Sequence, residues 1–300
     1  MFDISIIGGG PAGLTAAIYG CRSGASVAII EKDVFGGQIV NSPKVENIPG
    51  FDEISGDVFA DKMLAQAMKQ GAEVFFAEAT SVEKTEDGFV TVMSDGERVR
   101  SKTVILATGT THRTLGLPGE EELIGKSISF CAVCDGDFYR DKTVVMIGGG
   151  NSAFVESNLL APIVKKLIVL QDLPEFTADK KLQDQLLGCS NVEPHTGTKV
   201  LGYEVNDGEL TGVSYEENGE KKTAHCDGVF LAVGLVPDND AFAGLAKLDD
   251  RGYFVSSENC TTATPGIFVA GDCRVKTLRQ VATACSDGAY AAIEACNFIR

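Results

Sequence analysis

Ile4-Ser5-Ile6-Ile7-Gly8-Gly9-Gly10-Pro11-Ala12-Gly13 is the stretch that decides the fold. A short apolar run of strand length enters a glycine triad, and a helix follows from Pro11 to about Ser23. The pattern returns at Val144-Val145-Met146-Ile147-Gly148-Gly149-Gly150, with a helix from Ser152 to about Ala161, where Pro162 favours a stop. A second apolar strand completes each copy, Val27 to Ile30 and Leu167 to Leu170. Both copies read as βαβ units of the dinucleotide-binding type.

The repeat extends downstream. Val104-Ile105-Leu106-Ala107-Thr108-Gly109 corresponds to Val229-Phe230-Leu231-Ala232-Val233-Gly234, and Gly266 to Asp272 reads as a further strand with an acidic tip, assigned back to the first domain. The expected fold class is α/β, with two Rossmann-like dinucleotide-binding domains, the second inserted into the first. Residues 1–113 and 242–300 form the discontinuous domain and 114–241 the insert, with Pro118-Gly119 and Pro237-Asp238 as turn signals at the crossings.

Composition narrows the function. A chain of 300 residues, 44% hydrophobic, has enough apolar side chains for two cores. Its 42 acidic against 26 basic residues give a net charge of −16, which argues against nucleic acid or an anionic membrane as partner. No apolar run approaches the roughly 20 residues of a membrane span, and Met1-Phe2-Asp3 enters a strand without a basic leader, so a cytoplasmic protein is expected.

Nine cysteines, an odd and scattered set, do not read as a secreted disulfide framework. One pair is close: Cys131 and Cys134 can form a small disulfide ring and share a lowered thiolate pKa, as C-x-x-C motifs do. A zinc site would need a second pair at ligand spacing, which Cys189, Cys226, Cys260, Cys273, Cys285 and Cys296 do not supply, so no metal is expected.

In the first glycine turn, Gly8-x-Gly10-x-x-Gly13 has the spacing for a tight turn, close pyrophosphate approach and close helix packing. Glu31 ends the next strand, placed to accept hydrogen bonds from a ribose. Together with GGQIVNSPKVENIPGF from Gly36, ATGT from Ala107, CAVCDGDF from Cys131, GIFVAGD from Gly266 and RQVATACSDG from Arg279, this sequence resembles the low-molecular-weight, bacterial-type thioredoxin reductases over almost its whole length.

The resemblance implies FAD in the first site. Gly8, Gly10, Pro11, Ala12, Gly13, Glu31, Lys32, Thr108, Gly109, Gly271 and Val281 are then cofactor-binding candidates. It further implies the isoalloxazine near Gly37, Gln38, Asn47 and Pro49, Asp272 on the ribityl chain, and Arg279 and Gln280 beside the flavin. In the thiol pair it implies that Cys134 takes electrons from the reduced flavin and opens the disulfide of thioredoxin, while Cys131 resolves the pair. Asp135 is the candidate acid for the departing thiolate. A homodimer is also implied.

The second turn departs from that family. Its NADPH enzymes carry a His-Arg-Arg cluster at the end of the following strand, where this chain has Gln171-Asp172-Leu173. An aspartate there repels a 2′-phosphate, and between Arg140 and Arg251 no arginine offers a substitute. NADH needs an acid at the strand end, yet counting from Gly148 as from Gly8 to Glu31 lands on Gln171. Phe154 and Val155 stand where the family has smaller or acidic residues, so the site is expected to be partly filled.

NAD(P)H is accordingly expected not to bind, and reduced ferredoxin is the expected donor, as in the ferredoxin-dependent branch of the family. The step is downhill by about 130 mV, roughly 6 kcal/mol for two electrons. Its docking face is sought in Arg274, Lys276 and Arg279 with Lys142, Lys165 and Lys166. The alternatives are an NADH- or NADPH-dependent thioredoxin reductase and a flavin dithiol oxidase using oxygen.

Overall fold

The computed structural model describes residues 1–42, 45 and 47–300, with Asn41, Val133 and Cys134 described by their backbone alone. The chain divides into two units, Met1–Thr111 with Val236–Arg300, and His112–Leu235.

In the first unit β1 (Phe2–Ile7), α1 (Pro11–Arg22) and β2 (Val27–Glu31) form the first βαβ copy. They are followed by α2 (Gly56–Lys69), β3 (Glu73–Phe76), β4 (Ala79–Thr85), β5 (Gly88–Met93) and β6 (Arg98–Leu106). The sheet runs β3-β2-β1-β6-β5-β4, with β1 parallel to both neighbours and β4 and β5 antiparallel at one margin. Ile4, Ile6, Ile29 and Ile105 are fully buried, as expected of parallel strands covered on both faces.

A connector, β7 (Thr110–His112), leads to α3 (Glu120–Leu123), β8 (Ile128–Ser129), α4 (Ala132–Asp135), β9 (Thr143–Ile147), α5 (Asn151–Leu160), β10 (Lys166–Leu170), α6 (Lys180–Leu187) and β11 (Val192–His195). An antiparallel sheet of β12 (Thr198–Asn206), β13 (Glu209–Glu217) and β14 (Glu220–His225) follows, then β15 (Gly228–Leu231). The main sheet of this unit, β11-β10-β9-β15-β8, is parallel throughout. Its first four strands repeat the order β3-β2-β1-β6 of the first unit, so the internal repeat is one of topology as well as sequence.

The return strand β16 (Leu235–Pro237) pairs with β7. Against an expected boundary at 242, the chain re-enters the first unit at Val236. Asn239 anchors the returning chain: it is buried, accepts a hydrogen bond from Thr108 Oγ1 (2.7 Å) and donates to the carbonyls of Gly252 and Cys273 (2.8 Å each). β17 (Ile267–Val269) then adds to β6 in parallel, as its assignment to the first domain required. The last helix, α7 (Val281–Phe298), packs so closely on α1 that a Cβ on Gly288 would lie 2.1 Å from the Ala12 carbonyl oxygen.

Candidate active site

The first glycine turn is sterically committed. A Cβ at Gly8 would stand 2.1 Å from the Ala107 oxygen, and one at Gly13 would stand 1.9 Å from the Gly8 oxygen. Gly10 differs, since a Cβ there would meet nothing nearer than 3.9 Å. It borders open space at the N-terminus of α1, where Pro11 is the first helical residue, no side chain caps the helix and no acid stands in the first turn. Backbone amides there suit an anionic group such as a pyrophosphate.

A cleft of about 400 Å³ opens on this turn. Gly8, Gly10, Pro11, Ala12, Glu31 and Lys32 line it, as do Gly37, Gln38, Thr108 and Gly109. Gly271, Asp272, Arg279, Gln280 and Val281 arrive from the C-terminal segment. Gly13 serves packing behind the turn. Asn47 and Pro49 line a separate recess, although Asn47 Nδ2 donates to Gln280 Oε1 at 2.9 Å and so holds a cleft residue. The Glu31 carboxylate accepts the amides of Gly9 (2.7 Å) and Asp33 (2.8 Å), which leaves further acceptor capacity for a ribose hydroxyl. Lys32 is drawn to Asp238 at 2.5 Å.

Asp272 gives the clearest sign of a ligand. Its Oδ1 is buried with no hydrogen-bond partner among the described residues, the nearest cation being Lys276 Nζ at 4.0 Å. Burial pushes its carboxyl above the usual carboxylate range. A buried acceptor left without a donor costs about 1–3 kcal/mol, which a hydroxyl donor in the cleft would recover. With the open glycine turn and the free acceptor capacity of Glu31, these residues fit FAD.

The backbone before Asp272 rests on a buried ion cluster that the sequence did not reveal. Asp287 on α7 accepts Arg274 through Nε (2.8 Å) and Nη2 (2.7 Å), Lys276 Nζ (2.8 Å) and the Gly271 amide (3.0 Å). Burial alone would raise the Asp287 carboxyl, but these partners hold it below its ordinary value. Arg279 lies over the Tyr253 ring at 4.2 Å and donates to the Asp272 carbonyl at 3.3 Å.

In the second unit Cys131 is disulfide-bonded, and the cysteines outside the C-x-x-C motif are free. The Cys134 side chain, with its expected role, lies outside the described residues. Around Cys131 the geometry is specific. The buried Ser129 hydroxyl accepts the Cys131 amide (3.0 Å) and donates to Asp135 Oδ2 (2.5 Å), tying the candidate acid to the disulfide's own backbone. Glu156 on α5 accepts the amide of Ala132, between the two cysteines. Neither Ser129 nor Glu156 was picked out from sequence.

The second glycine turn corrects three expectations. Phe154 does not fill the site: it is fully buried in this unit's core against Phe176, while Val155 is exposed, and a cleft of about 690 Å³ opens at Gly148 to Gly150. An arginine is available after all, because Arg113 lines this cleft from the connector, its amide bound to the Gly234 carbonyl at 2.9 Å, and Lys199 joins it. Both are exposed and have no ion pair among the described residues. The basic docking face also fails: Arg274 and Lys276 are committed to Asp287, Arg279 to Tyr253, Lys142 to the Tyr139 ring and Lys166 to Glu193. Only Lys165 of that set is exposed and uncommitted among the described residues.

One expectation concerning this turn keeps its footing. Gln171, not Asp172, packs against Gly149, as Glu31 packs against Gly9. Both Gln171 and Asp172 line the cleft.

Two dinucleotide-type turns and a disulfide on one chain define a class, and the family described as "Pyridine nucleotide-disulphide oxidoreductase" matches residues 2–288. Within it, a thioredoxin reductase of Listeria monocytogenes is 40% identical over 302 residues, covering 100% of this chain and 94% of its own length. One from Peptoclostridium acidaminophilum is 39% identical over 312 residues, covering 100% of this chain and 97% of its own. The solved thioredoxin reductase of Lactococcus lactis superposes with a TM-score of 0.93 at 34% identity, covering 100% of this chain and 99% of that one. The chain belongs to the thioredoxin reductase family, the flavin disulfide reductases of this class.

Proposed function

We propose that this protein reduces the disulfide of a thioredoxin-like partner through FAD in the first cleft and the Cys131/Cys134 pair, and that a pyridine nucleotide in the second cleft supplies the electrons. The observation that supports this donor is the open second cleft with Arg113 and Lys199 on its walls, in a chain whose family match runs through it. It replaces ferredoxin as the favoured donor, since Phe154 leaves the cleft open and Arg113 lines it.

FAD, when bound, supplies the two-electron carrier between nucleotide and disulfide. The chain's own part begins with binding: the amides beside Gly10 take the pyrophosphate, Glu31 the ribose and Asp272 a ribityl hydroxyl. Once Cys131 and Cys134 are reduced, the resemblance assigns Cys134 as the thiolate that attacks the partner's disulfide. That attack makes a mixed disulfide and releases one partner sulfur as a thiolate. Asp135, held by Ser129, protonates it, and Cys131 then displaces the second partner sulfur and closes the pair again.

Between nucleotides, Asp172 at the cleft disfavours a 2′-phosphate and the neutral Gln171 tolerates a hydroxyl, so NADH is preferred to NADPH. The ferredoxin reading keeps one specific support, the lack of any cation in Gln171-Asp172-Leu173. Anaerobic titration separates the readings. Stoichiometric loss of the flavin's visible absorbance on adding NADH, followed by reduction of thioredoxin, is the expected result. Loss of absorbance with reduced ferredoxin and with neither nucleotide would overturn the proposed donor.

A further inference from the structure

Glu156 lies between two parts of the second unit. It sits on α5, the helix whose first residues, Asn151 and Ser152, line the nucleotide cleft, and its carboxylate accepts the amide of Ala132 at the start of α4. Ala132 is the residue after Cys131 and is itself buried. One hydrogen bond thus joins the helix of the cleft to the turn that presents the disulfide.

We infer that Glu156 is a positioning residue for the thiol pair: it fixes the Ala132 amide, and its charge sets the pH at which the reduced Cys131 sulfur becomes a thiolate. Burial pushes this carboxyl up, against a smaller lowering by the Ala132 amide. The groups facing it are few. α4 carries Asp135 and follows directly on Cys131, β9 has no titratable side chain, and on α6 Lys180 is already paired with Asp184, with Lys181 beside it. None of these cations shifts Glu156, whose state follows its burial and the one amide.

The consequence for the sulfur follows from like-charge repulsion. Reducing the disulfide adds two electrons and leaves two sulfur anions, each of which binds one proton to become a thiol. The electrons are those of the proposed reaction, and the protons come from solvent. An ionised Glu156 beside Ala132 opposes a second negative charge at Cys131 and so favours the thiol. A protonated or neutral residue there releases the thiolate at lower pH.

This inference rests on Cys131 and Cys134 being the working pair, and its test does not pass through turnover. The reduced holoenzyme is treated with iodoacetamide over a range of pH, and modification of Cys131 is followed by mass spectrometry. E156Q keeps an oxygen for the Ala132 amide but has no charge, and its alkylation profile is expected to move to lower pH by about one unit, a roughly tenfold gain in rate in neutral solution. E156A is expected to show the same displacement together with a lower kcat for thioredoxin. An E156Q profile that superposes on the wild type overturns the inference, as does a lower melting temperature with no displacement. Failure of the intact protein to reduce any thioredoxin would instead overturn the proposed function and leave the alkylation result standing.

Discussion

The two glycine turns share a topology and differ in how tightly each is bound to its surroundings. The first is locked: Gly13 admits no Cβ, Glu31 is tied to Gly9, and the segment carrying Asp272 rests on the Asp287 cluster. The second accepts Ala153 at the corresponding position and ends its strand in a neutral Gln171. Its flanking cations, Arg113 and Lys199, are exposed. A site that keeps its cofactor through turnover benefits from rigidity, whereas one that must release a spent ligand works with looser contacts.

The largest effect is expected where the first turn is braced. Asp287→Ala leaves Arg274 and Lys276 buried without their anion and should destabilise the first unit by about 3–5 kcal/mol, measured by urea unfolding with flavin release. No counterpart supports the second turn among the described residues, so an equal loss from Asp179→Ala, near Asn151, would break the contrast. Next, Gly13→Ala should cost about 3 kcal/mol through its clash with the Gly8 oxygen, whereas Ala153→Gly should cost about 1 kcal/mol, the helix penalty of glycine.

Ligand effects are smaller. Asp272→Ala removes the unpartnered acceptor and should weaken FAD retention about tenfold, measured by the flavin remaining after dialysis. Asp172→Arg should raise the preference for NADPH over NADH about tenfold, and unchanged nucleotide kinetics would argue against the second cleft as the donor site.

One buried carboxyl in each unit, Asp287 and Glu156, responds to pH with opposite sign. The Asp287 carboxyl is held down in the folded state, so its contribution is present above the unfolded carboxylate value and is lost as pH falls through the folded one. Glu156 is pushed up and costs stability as pH rises through its unfolded value. Acid unfolding of the first unit should therefore be blunted in Asp287→Asn, and Glu156→Gln should gain stability near neutral pH relative to the wild type.

Much of the frame was legible because it is local. Strand, glycine turn and helix follow one another in sequence, and the spacing from Gly8 to Glu31 placed Gln171 correctly against Gly149. Phe154 is placed by its helical phase and not by its bulk: it lies on the α5 face of Ser157, three residues on, which is turned to the core. That signal was present in the sequence. Others were not. Arg113, Glu156 and Asp287 reach their sites from segments distant in sequence, and no spacing rule connects Asp287 to Gly271 or Glu156 to Ala132. The antiparallel sheet β12-β13-β14 likewise went unread, since its strands are largely polar and half-exposed.

The close seat of Gly288 on Ala12 sets an order on biosynthesis. The strand that adds to β6 and the helix that covers α1 both follow the whole of His112–Leu235 in the chain. The thiol-bearing unit is contiguous and can mature before them, while the flavin cradle must wait, with α1 uncovered, until α7 has been made. Newly made chains are thus expected to acquire FAD only once α7 is available to fold, and truncation within α7 should produce protein that retains the second unit but holds no flavin.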